Sequence, residues 1–170
     1  MNTSIPKENC RYKSGVFQKY AAKSAEGIGG SVFITNSYDE TFELGAELGR
    51  FLEKGGVVAL EGALGAGKTC FCAGICHALG VKEAVTSPSY TIIHEYEGVL
   101  PVYHIDAYRL SGAEDFENLG GGEALESGGL SLVEWSERII SSLPPDIVRI
   151  KIKITDDGKR EITVKGIELA

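Results

Sequence analysis

The chain has 170 residues, 43% of them hydrophobic, with a formal net charge of -7 and a pI of about 5.0. That is enough apolar mass for one compact domain without disulfide or metal staples. It offers no apolar run near the ~18 residues of a membrane-spanning helix and no apolar N-terminal signal, so the composition excludes membrane and secreted classes and predicts a cytoplasmic protein with no membrane partner.

Residues 1–30 carry five Lys or Arg against two acids and end in Glu26-Gly27-Ile28-Gly29-Gly30. Weak periodicity and terminal glycines predict a mobile basic extension outside the core, with the domain proper at residues 31–170. That domain holds twelve Lys or Arg against twenty-two Asp or Glu. Phosphate contacts come from Lys and Arg, so it is predicted not to bind nucleic acid tightly by itself. A strand near Val32 to Thr35 opens the domain. Asn36 or Ser37 caps the helix that follows, and Asp39 and Glu40 place negative charge in its first turn. Phe42, Leu44, Ala46, Leu48, Phe51 and Leu52 form its apolar stripe, stopped at Gly55-Gly56. Val57 to Leu60 is a buried strand, followed by a glycine-rich loop from Gly62 and a helix through Leu79. Thr91 to Tyr96 and Leu100 to Asp106 predict an antiparallel hairpin around Glu97-Gly98. Residues 111–127 read as short helices broken by Gly120-Gly121-Gly122. Leu130 to Val133 is a further buried strand, and Ile147 to Ile154 with Glu161 to Val164 flank the turn Asp156-Asp157-Gly158. The pattern is α/β: a single-domain sandwich with a mixed parallel and antiparallel central sheet flanked by helices. Cys70, Cys72 and Cys76 lie close together without a second cluster to complete a zinc site, and read as small buried helix residues. His94 and His104 are predicted cross-strand neighbours, too few to make a metal site.

Gly62-Ala63-Leu64-Gly65-Ala66-Gly67-Lys68-Thr69 matches G-x-x-x-x-G-K-[ST] at every fixed position, between an apolar strand and a helical pattern. Glycines let backbone N–H groups face phosphate oxygens, and the new helix points its positive end at the same charge. The lysine reaches the β- and γ-phosphates, and the Thr69 hydroxyl suits magnesium. Such a site needs a carboxylate at a neighbouring strand end. Asp106, after Val102 to Ile105, and Glu134, after Leu130 to Val133, both qualify. The hydroxyl-rich run Thr86 to Thr91 is either a capped Pro turn or a loop that senses the γ-phosphate. The chain has neither the guanine-reading N-K-x-D nor the kinase H-R-D and D-F-G segments. ATP with Mg2+ is the predicted ligand.

The loop, Ser87-Pro88-Ser89-Tyr90-Thr91, His104-Ile105-Asp106-Ala107-Tyr108-Arg109-Leu110 and Val133-Glu134-Trp135, in that order, resemble the TsaE (YjeE) family over about residues 32–165. These are P-loop ATPases of tRNA threonylcarbamoyladenosine biosynthesis. The resemblance implies that Gly62 to Thr69, with Cys70, bind ATP, and that Thr69 and Glu134 are the magnesium-associated pair. Asp106 would be the acid needed for hydrolysis, acting with Lys68 and Glu134. Trp135 would shape the site beside Glu134, and Tyr38, Thr41 and Arg160 would lie on the base and ribose side. It further implies partners of the TsaB and TsaD type, which carry the transfer to adenosine 37 of tRNA. This chain would drive their turnover and meet tRNA only through that complex. Ser89, Ala107 and Cys70 depart from the family's usual Thr, Leu and Thr, and none removes a charged or metal-binding group. A small-molecule P-loop kinase and a nucleotide-dependent binding module without turnover also fit the loop. ATP turnover alone, with acceptors and with partner proteins separates the three.

Overall fold

A computed structural model describes residues 15–21 and 30–167. Its centre is a seven-stranded sheet of β1 (Ser31–Thr35), β2 (Gly56–Glu61), β3 (Ile93–Tyr96), β4 (Val102–Asp106), β5 (Leu130–Glu134), β6 (Val148–Ile154) and β7 (Arg160–Lys165), in the order β1-β7-β6-β2-β5-β4-β3. The inner strands β6, β2, β5 and β4 run parallel, while β7, β1 and β3 pair antiparallel at the flanks. The predicted α/β class, mixed sheet and both hairpins are all present.

Strand alternation divides the core into two layers. Val58, Leu60, Leu130 and Leu132 face α2 (Tyr38–Gly49) and α3 (Lys68–Ala78), where Leu44, Leu48, Phe71 and Ile75 complete the packing. Val57, Ala59, Ile105 and Val133 face the opposite layer, which contains Phe116 of α4 (Ala113–Asn118) and Ala124 of α5 (Gly121–Glu126). Helices α2 and α3 approach almost backbone to backbone. A Cβ on Gly74 would stand 2.2 Å from the Phe42 carbonyl oxygen, so glycine is required there. Ser37 caps α2 by accepting from the Glu40 N–H at 3.1 Å, as its residue type predicts. The helix ends at Gly49, well before the predicted Gly55-Gly56 stop, because the chain there turns through tight bonds from Phe51 to Leu48 and Leu52 to Gly49.

The expectation of an N-terminal extension apart from the core fails for residues 15–21. Helix α1 (Gly15–Tyr20) buries Phe17 and Tyr20 within the larger core layer. The Phe17 ring lies 5.5 Å from that of Phe33 and 5.6 Å from that of Phe51. The Tyr20 hydroxyl and the Lys19 amine both reach the Glu43 carboxylate, and Ala21 bridges antiparallel to Phe33 on the sheet's edge. Two aromatic side chains, Phe17 and Tyr20, one helical turn apart, are an apolar face too short to register as periodic. Residues 1–14 and 22–29 of that extension, including Cys10, lie outside the described residues. No helix among them is long and apolar enough to cross a membrane.

Candidate functional site

The parallel strands all end at one edge of the sheet, and their ends build a cleft of about 600 Å³. Parallel register sets Asp106 of β4 directly beside Glu134 of β5, and Glu134 beside Leu60 of β2. Strand β2 then enters the glycine-rich loop, and the loop enters α3. The topology therefore brings the loop and both acids to one place, although they are far apart in sequence.

Within the loop, Gly65 and Gly67 have φ of 77° and 108°, left-handed conformations that a side chain would strain. The turn is closed by the Ala66 N–H donating to the Ala63 carbonyl at 3.1 Å, and α3 begins with Phe71 N–H donating to Gly67 at 2.9 Å. Leu64, Gly65, Gly67, Lys68, Thr69 and Cys70 line the cleft. Gly62, Ala63 and Ala66 do not: the first two offer carbonyls to Lys68, and Ala66 is buried in the core.

Lys68 is 4% exposed. Its Nζ donates to the Gly62 and Ala63 carbonyls at 2.7 and 3.1 Å and stands 4.0 Å from the centroid of the Trp135 ring. Burial pushes its pKa down, offset in part by the charges of Glu134, Glu137 and Asp106. Both hydrogen bonds go to neutral carbonyls, so the ammonium keeps a third N–H for an anion. Desolvation makes such a contact worth more than at the surface. Thr69 donates its hydroxyl to both Glu134 oxygens, at 2.8 and 3.1 Å. A hydroxyl and a carboxylate together are a hard oxygen pair of the kind Mg2+ selects. Asp106 is equally buried but separately held. Its Oδ2 accepts from Ser87 and Ser89 at 2.6 and 2.9 Å, and its Oδ1 from the Tyr108 N–H at 3.0 Å. The hydroxyl-rich run thus forms the cradle of Asp106. It closes on Ile92, a β-branched residue at φ 68° whose carbonyl accepts from the Asp106 N–H at 2.9 Å. Residues of that type in that region store strain.

On the opposite wall, Tyr38 lines the cleft and is 65% exposed. Thr41 lines the cleft, but its hydroxyl is engaged by Thr35 at 2.7 Å and by the Ser37 carbonyl at 2.9 Å. It presents its methyl, so it forms a wall and offers no polar contact. Arg160 lines the cleft and donates to the Gly158 carbonyl at 2.8 Å. Arg109 lies at the rim, with its guanidinium 4.5 Å over the Tyr90 ring. Cys70 donates its Sγ–H to the Tyr38 carbonyl at 3.3 Å, and burial pushes its thiol up to about 11. Cys72 and Cys76 are buried as predicted.

One side chain here has no role in the motif reading. His104 is fully buried on β4, in register with Leu132 and one cross-strand step from His94. Its Nε2 lies 2.8 Å from Glu134 Oε1, while its Nδ1 is buried without a hydrogen-bond partner among the described residues. In the sequence it stood out as a predicted cross-strand neighbour of His94 and as the first residue of the segment His104 to Leu110, neither of which pointed to Glu134.

Known proteins resemble the chain along most of its length. Residues 35–162 match the family model described as threonylcarbamoyl adenosine biosynthesis protein TsaE. A tRNA threonylcarbamoyladenosine biosynthesis protein TsaE of Treponema pallidum is 45% identical over 131 residues, covering 77% of this chain and 97% of that protein. The Bacillus subtilis protein of the same name is 42% identical over 130 residues, 76% of this chain and 81% of its own. Among solved structures, the crystal structure of Bacillus subtilis YdiB superposes with a TM-score of 0.68 at 40% identity, covering 78% of this chain and 82% of that one.

Proposed function

The chain belongs to the TsaE family of threonylcarbamoyl adenosine biosynthesis proteins, and on that membership and the cleft's chemistry we propose that it binds and hydrolyses ATP with Mg2+ to drive turnover of the tRNA-modifying complex formed by TsaB- and TsaD-type partners. The observation that carries the ATP reading is the convergence of four groups at one sheet edge. A buried, desolvated Lys68 and a Thr69–Glu134 oxygen pair face an independently anchored Asp106.

In this reading Lys68 and the loop hold the β- and γ-phosphates, with Lys68 directing toward them the N–H that its two loop carbonyls leave free. Thr69 and Glu134 hold Mg2+, which neutralises phosphate charge when bound. Asp106 orients the attacking water. Its anchors, Ser87, Ser89 and the Tyr108 N–H, fix the carboxylate before substrate arrives, so little reorganisation accompanies the reaction. Tyr38 and the Thr41 methyl wall the base and ribose side, and Trp135 beneath the Lys68 amine closes the floor.

Lys68→Ala tests the reading most simply. Losing a charge-assisted phosphate contact costs about 1.5–3 kcal/mol, so calorimetry should show Mg-ATP binding weakened roughly 10- to 150-fold, on the rule that about 1.4 kcal/mol is tenfold. Parent-like affinity in the variant would remove the loop from the binding site.

A further inference from the structure

The Glu134 carboxylate is gripped on one side by a residue that never reaches the cleft. His104 lies in an apolar wall, on β4 two residues after Val102 and in register with Leu132 of β5, with a ring nitrogen within 4.8 Å of the Cys72 sulfur of α3, and it is absent from the cleft lining. A histidine in that wall carries a cost. One ring nitrogen is buried with no partner, and leaving such a group unsatisfied is unfavourable. Packing alone favours an apolar residue there. What the imidazole supplies is a single hydrogen bond, Nε2 to Glu134 Oε1 at 2.8 Å, between side chains 0% and 3% exposed. An ionised carboxylate only accepts, so Nε2 is the donor in this contact.

The two carboxylate oxygens are unequally engaged. Oε1 takes both His104 and Thr69 at 2.8 Å, while Oε2 takes only the longer Thr69 contact at 3.1 Å. We propose that His104 is a positioning residue: by pinning Oε1 from behind, it fixes the Glu134 rotamer and presents Oε2 to the metal side of the cleft. Partners of this kind behind ligating groups typically matter 10- to 100-fold in metal affinity when removed. The inference rests on reading Glu134 as the magnesium-side acid, and it adds a residue that touches neither nucleotide nor metal.

The full chain supplies its own probe, since its single tryptophan, Trp135, lines the cleft. The measurement is Trp135 fluorescence of the ADP-saturated protein titrated with Mg2+, together with ADP affinity in excess EDTA. His104→Ala should raise the half-saturating Mg2+ about 10- to 100-fold and leave ADP affinity in EDTA within about twofold of the parent. His104→Gln, whose side-chain N–H lies near the Nε2 position, should recover most of the loss. A purely structural histidine predicts instead that melting temperature falls while the Mg2+ requirement stays put, or that Ala and Gln behave alike. Either result overturns the proposal. If His104→Ala proves too unstable to titrate, His104→Leu fills the apolar wall without an N–H and carries the same comparison against Gln. A parent protein that binds ADP with no response to Mg2+ would contradict the magnesium reading of Glu134 and not the role of His104 alone.

Discussion

Asp106 and Glu134 look equivalent in sequence, each an acid ending an apolar strand, and their surroundings separate them. Glu134 is tied to Thr69 and His104, on the loop side. Asp106 is tied to Ser87, Ser89 and its own following turn, on the rim side. Asp106→Asn keeps the shape and can still accept through its amide oxygen, but it loses the charge that draws a water proton. We expect it to retain Mg-ATP affinity within a few-fold while hydrolysis falls by ~10² or more, the lower range for a positioned acid–base group. Single-turnover assays beside calorimetry would show this, and equal losses in binding and turnover would instead make Asp106 a ligand contact. The loop and the two acids were legible because each obeys a local rule, a fixed motif or a strand end. The Ser87–Asp106 and His104–Glu134 contacts were not. They join residues 19 and 30 positions apart across the fold, and no local period encodes such a pairing. Thr41 shows the same limit, since the sequence marks a hydroxyl but not that Thr35 and Ser37 consume it.

At the scale of elements, most strands and helices followed from alternation, caps and glycine stops, and their ends were the weakest part. Strand β3 begins at Ile93, two residues after its expected start, because Ile92 sits at positive φ and cannot join the ladder. Helix α1 was the larger miss. Its one turn and a half has meaning only once β1 and α2 exist to receive Phe17 and Tyr20. It packs against α2, whose first turn supplies Tyr38 and Thr41 to the cleft, and it falls outside the residues matched to the family. Phe17→Ala removes a ring 5% exposed, and should cost about 3–5 kcal/mol, the usual range for emptying an aromatic core site. Denaturant unfolding checks this directly. A loss under about 1 kcal/mol, small beside the normal penalty for aromatic truncation, would mean that α1 rests on the core without contributing to it.

On the whole molecule, charge and topology point the same way. An excess of acids over bases makes the surface a poor match for an RNA backbone. Three of the basic residues, Arg149, Lys151 and Lys153, form an exposed row on β6. That row is interrupted by Glu61, 3.8 Å from Lys151, and by Glu161 opposite Lys153, so contact with tRNA through a partner remains the account. Among the described residues, neither arginine of the cleft lining is committed to its interior. Arg109 is stacked on Tyr90 and Arg160 is bonded to Gly158. A P-loop site without a supplied arginine is typically slower by ~10³ or more, and the exposed rim at Tyr90 and Tyr108 is placed to meet whatever completes it. The central claim is therefore tested most directly by steady-state ATP hydrolysis, measured for the chain alone and with the purified TsaB–TsaD-type complex and tRNA. The account predicts slow turnover alone and ~10³-fold or greater stimulation by the loaded complex, the range a supplied arginine provides. Fast turnover by the isolated chain, unchanged by those additions, would contradict it.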